Sequence, residues 1–133
     1  MNKERLLRLA KKLQAIKPSR KRRFDLSQWY VENCETAACA IGEAGMIKAF
    51  NAEGFKLVVA KEAEGVKFLT PDFEGFRGWG AVMRFFDLEA SDAGNLFDTI
   101  GYIDTSGYFD PPSSKDVAKR IREFVSKNEA QQS

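Results

Sequence analysis

The sequence predicts an α+β fold that is predominantly α-helical, with four to six helices and one small β-hairpin. Three patterns lead there. Apolar residues recur at three- and four-residue steps in several segments, most clearly over residues 6–16 and 117–125. One central stretch, from Phe55 to Leu69, turns β-rich. The chain of 133 residues is 44% apolar with eleven Phe, enough for one real core.

Leu6, Leu9, Leu13 and Ile16 form the stripe of an amphipathic helix over residues 1–17, with Leu7 and Ala10 widening it. Pro18 ends this helix. Arg5, Arg8 and Lys12 fall on its opposite face as a basic ridge, and residues 18–23 follow as a basic linker. Phe24, Leu26, Trp29, Tyr30 and Val31 suggest a short helix that Asp25 or Ser27 can cap. A longer helix is expected from Asn33 or Thr36 to about Ile47, although Gly42 and Gly45 each weaken it by about 1 kcal/mol relative to Ala. Its small residues imply that another element packs closely against it. Lys56–Val59 and Val66–Leu69 read as the hairpin, closed by Pro71. Further helices are expected from Gly78, burying Val82, Phe85 and Phe86, from Ser91, and from Ser113 or Ser114, burying Val117, Ala118, Ile121, Phe124 and Val125.

These elements make a single domain, with the main body over 24–126 and a frayed tail over 127–133. No apolar run spans a bilayer and the N-terminus lacks the apolar core of a secretory signal, so a soluble, cytoplasmic protein is expected. Two cysteines, Cys34 and Cys39, are too few for a disulfide scaffold or an all-cysteine zinc site. There is no histidine, which removes imidazole bases, ligands and proton shuttles from consideration. Asp98, Asp104 and Asp110 fail the EF-hand spacing. We therefore expect no catalytic residue, no metal and no cofactor.

The segment Asn33 to Gly42 is the most specified in the chain. Cys34-Glu35-Thr36-Ala37-Ala38-Cys39-Ala40-Ile41-Gly42 resembles the Cys-Gly-Thr-Ala-Ala-Cys-Ala-x-Gly element of small bacterial and phage proteins of uncharacterised activity, with Glu35 where glycine is usual. Those chains continue similarly to a Phe-Phe-x-Leu segment, a Leu-Phe pair and a C-terminal helix. Here these are Phe85-Phe86-Asp87-Leu88, Leu96-Phe97 and Val117 to Val125. The resemblance spans most of residues 24–126 and implies a phage or mobile-element origin without a mechanism. Physically, a helix starting here could lower the Cys34 thiol pKa or hold a phosphorylated ligand through Asn33, Cys34 and Thr36. The competing reading is of small buried hydrophobes and ordinary caps.

Charge is distributed unevenly. Residues 1–23 carry ten basic groups against one acid, a net of +9, and the remaining 110 residues carry a net of −7. Arg5, Arg8, Lys12, Arg20, Lys21, Arg22 and Arg23 could therefore meet nucleic-acid phosphates, a partner, or the acidic body of the same chain. Gly75-Phe76-Arg77-Gly78-Trp79-Gly80 matches no phosphate-loop spacing. The expectation is a non-enzymatic binding or accessory protein that contacts another protein or itself. The alternatives are a nucleic-acid-binding module and a phosphorylated-ligand binder.

Overall fold

The computed structural model describes residues 1–17, 19, 22–32 and 36–132. Among them lie six α-helices, α1 (Lys3–Ala15), α2 (Ala40–Ala44), α3 (Lys48–Ala52), α4 (Trp79–Phe86), α5 (Ala90–Phe97) and α6 (Ser114–Gln132). Six strands accompany them: β1 (Arg22–Phe24), β2 (Tyr30–Glu32), β3 (Thr36–Ala38), β4 (Lys56–Ala63), β5 (Val66–Phe73) and β6 (Phe76–Arg77). The strands form one mixed sheet in the order β1-β3-β2-β5-β4, with β6 also on β5. β1 runs parallel to β3 and every other pairing is antiparallel.

This corrects the expectation of a predominantly helical chain with one small hairpin, because 49% of the chain is helical and 23% is strand. The errors share a cause. β1, β2 and β3 have three residues each, too short to carry a period-2 pattern. Long-range pairing creates them: Val31 faces Phe68 on β5, while Ala37 faces both Val31 and Arg23. The expected linker over Arg22–Arg23 and short helix over Phe24–Val31 are thus strands and a turn. Thr36 to Ala38 are likewise sheet, so α2 begins only at Ala40.

The hairpin is longer than expected. Its turn residues, Glu64 (φ 51°) and Gly65 (φ 79°), are both left-handed, as a two-residue type I′ turn requires. Pro71 lies inside β5 instead of closing it. Its carbonyl accepts from the Gly78 N–H on the β6 side, so its missing donor also faces away from β4 and no ladder bond to β4 is lost.

α1, α4, α5 and α6 follow the sequence pattern, whereas the helix expected to reach Ile47 is confined to Ala40–Ala44 and α3 (Lys48–Ala52) adds to the helices the sequence predicts. Asn2 caps α1 by accepting from the Arg5 N–H. Ser113 and Asp116 cap α6 reciprocally: the Ser113 Oγ accepts from the Asp116 N–H, and the Asp116 carboxylate accepts from the Ser113 N–H. Gly78 precedes α4, while Glu89 and not Ser91 precedes α5. α1 packs against α6, α2 and α4, and α2 and α4 lie on β5. Leu6, Leu9 and Leu13 join Val117, Ile121 and Val125 in one core. Its centre is a group of Phe rings, with Phe55 and Phe50 centred 4.5 and 4.8 Å from Phe85.

Candidate interaction surfaces

The Asn33 to Gly42 segment builds a tight structural joint. Asn33 and Cys34 lie outside the described residues. Thr36, in β3, stands three residues before the Cys39 cap of α2, so its hydroxyl is not at a helix start. Cys39 is buried, and its sulfur accepts from the Gly42 N–H at 3.5 Å. Its thiol approaches the Trp29 carbonyl at 3.7 Å, and burial pushes its pKa up to about 12. A thiol held neutral in this way is a poor nucleophile. The close approach inferred from the small residues is real: a Cβ at Gly42 would lie 1.9 Å from the Trp29 carbonyl oxygen, and one at Gly45 would lie 2.4 Å from Leu57.

The basic residues divide into two groups. Arg5 is built into the body: Nη1 donates to the Phe85 carbonyl at 2.7 Å, Nε donates to Glu53 at 3.1 Å, and the guanidinium stacks 4.1 Å from the Phe85 ring centre. Lys12 lies 3.9 Å from buried Glu43, and Lys3 pairs with Glu129 at 2.8 Å. Part of the basic helix is therefore neutralised by the acidic body. Arg8, Lys11 and Arg23 are exposed and make no ion pair with a described residue. Arg20 and Lys21 lie outside the described residues, and Arg22 is seen here through its backbone pairing with Thr36.

Asp98, Asp104 and Asp110 form no metal-ligating group, and no group of three such side chains occurs among the described residues. Asp104 organises its own turn, accepting from Ser106 Oγ and from the Ser106 and Tyr108 N–H groups. These bonds, the Ser106 hydroxyl foremost, hold its carboxyl below the usual range.

One open edge of the sheet has no signal in the sequence. β4 is an eight-residue edge strand whose outer side pairs with no other described strand. Because Pro71 turns its backbone polar groups away from β4, the alternation of ladder bonds turns those of Leu57, and then Val59, outward. Val59 is 49% exposed. Phe73 and Pro71 mark the core face of the sheet, so by alternation Val66, Phe68 and Thr70 occupy the other face, with Val31 and Val58 beside them in register. These residues are half-buried and stand outside the main core. Their alternation with Lys67 and Leu69 was legible, but without β2 the face had no visible boundary.

The chain matches no protein-family model, no curated protein and no solved structure. No described helix is long and apolar enough to cross a membrane.

Proposed function

We propose that the protein is a non-enzymatic cytoplasmic binding protein that acts through protein–protein contact, with a second copy of itself as the partner at β4. The observation that carries this reading is the open β4 edge, whose outward backbone donors and acceptors pair with no described strand, beside a half-buried apolar sheet face outside the main core. Antiparallel pairing about a two-fold brings the outward backbone groups of Leu57 and Val59 from both copies together. The bulge between Val59 and Lys61 leaves Lys56 to Val59 as the regular part of the edge.

Light scattering after size exclusion, over a range of concentrations, tests this. The parent is expected to dimerise. Val59→Pro removes an outward N–H without touching the β5 ladder, and Val59→Lys adds a positive charge to the edge of each copy; both are expected to be monomeric and folded. A parent that stays monomeric at every concentration, or a Val59→Pro variant that still dimerises, overturns the reading.

Nucleic-acid binding is the second reading, supported by the exposed Arg8, Lys11 and Arg23, which make no ion pair with a described residue. Retention on heparin that falls steeply with salt, and is lost when residues 20–23 are neutralised, is its expected signature.

A further inference from the structure

The chain has two tryptophans, and the fold brings them together from distant positions. Trp29, in the turn before β2, and Trp79, the first residue of α4, meet edge to face with centroids 4.8 Å apart and planes at 63°. They line a cavity of about 250 Å³ that also takes in Ser27, Phe97, Asp98 and Thr99. Buried Phe97 adds an apolar wall, while both indoles are half-buried.

The polar groups of this cavity favour one kind of guest. Among the described residues, Asp98 is its only charged lining residue. The Thr99 hydroxyl donates to Asp98 Oδ1 at 3.2 Å, and the Ser27 hydroxyl donates to Asp25 Oδ1 at 2.6 Å. Both hydroxyls have thus spent their protons on carboxylates and turn lone pairs toward any guest. Among the described residues neither indole N–H has an acceptor. In an edge-to-face pair, the ring that contributes its edge keeps both faces uncovered by the other. A carboxylate, hydroxyl lone pairs and indole faces together attract positive charge and repel anions.

We propose that the Trp29–Trp79 cleft binds a compact alkylammonium cation, with the ammonium against the indoles and the Asp98 carboxylate. The cavity volume fits a methylated ammonium head and excludes a whole nucleotide. The site is separate from the β4 edge and does not depend on self-association.

Tryptophan emission reports on this cleft alone, since the chain has no other indole. The full chain is titrated with choline chloride and, in parallel, with 3,3-dimethylbutan-1-ol, its neutral isostere, and with sodium chloride. A saturable emission change with choline in the millimolar range is expected, with the isostere at least about tenfold weaker. Asp98→Asn is expected to weaken choline about tenfold while far-UV circular dichroism stays unchanged, and Trp79→Phe to weaken it further. Equal binding of the isostere, or a choline titration no different from sodium chloride, overturns the proposal. Both comparisons use the parent protein, so they stand even if a variant misfolds.

Discussion

Gly42→Ala tests the joint between β3, α2 and the Trp29 turn. The added methyl carbon would sit 1.9 Å from the Trp29 oxygen, 3.0 Å from its carbonyl carbon and 3.1 Å from the Ala38 Cβ. A carbon and a carbonyl oxygen come no closer than about 3.3 Å, so the Trp29 peptide must retreat by about 1.4 Å. That retreat weakens the bond it accepts from the Cys39 N–H at 3.2 Å, although the same N–H keeps the Gln28 carbonyl at 2.9 Å. Overpacking costs about 1–3 kcal/mol and the weakened hydrogen bond about 1, against a gain of up to about 1 in helix propensity. The net is a destabilisation of about 2 kcal/mol, or roughly 6–10 °C in Tm for a domain of this size. Gly94→Ala is the control, since Gly94 lies within α5 with nothing near its absent Cβ. It is expected to stabilise by about 0.5–1 kcal/mol. Thermal and urea unfolding read both. If Gly42→Ala is as stable as the parent, the close approach of Trp29 does not exist.

Four further outcomes are expected. In a Cys34→Ser background, Cys39 should resist thiol reagents at neutral pH until the protein unfolds, because burial holds it protonated. Burial raises both Cys39, from 9.0, and Tyr102, from 10.0, to about 12. The unfolded chain therefore loses these protons first, so the contribution of these two groups should be constant below pH about 9 and stability should fall above it, as pH-dependent urea titrations would show. Arg5→Met, which loses the Phe85 carbonyl bond and the stacking on Phe85, should cost about 1–2 kcal/mol; Glu53, being 44% exposed, contributes little of this, so Glu53→Gln should cost under about 0.5. Arg120 stacks 3.9 Å from the Tyr102 ring centre and donates to the Asn95 and Gly101 carbonyls. Arg120→Met should therefore speed limited proteolysis within residues 98–110 with little change at the termini of α6.

What could be read from the sequence divides along contact range. α1, α4 and α6 announce themselves because each carries its own apolar stripe and its own start signal within a few residues. The hairpin could be seen but not measured, since the β2 strand that supports its far half lies about 35 residues away. Ala37 and Ala38 are good helix formers, and the pairing of β3 with β1 and β2 overrides that preference. The basic ridge was half legible. Periodicity placed Arg5, Arg8 and Lys12 outside the leucine stripe, but only the fold shows that Glu53 and Glu43 face two of them. Neither the open β4 edge nor the Trp29–Trp79 cleft had a local signal, because each depends on which elements become neighbours.

The pairing of α1 with α6 has a consequence for how the chain comes into being. Ala15 and Ser114 are separated by about a hundred residues of synthesis, which at 5–20 residues per second is roughly 5–20 s. Throughout that interval Leu6, Leu9 and Leu13 are made but lack the Val117, Ile121 and Val125 that later share their core. The amphipathic helix that is easiest to recognise in the sequence is therefore among the last to find its cover. Its leucine face is the surface that a nascent-chain chaperone would meet.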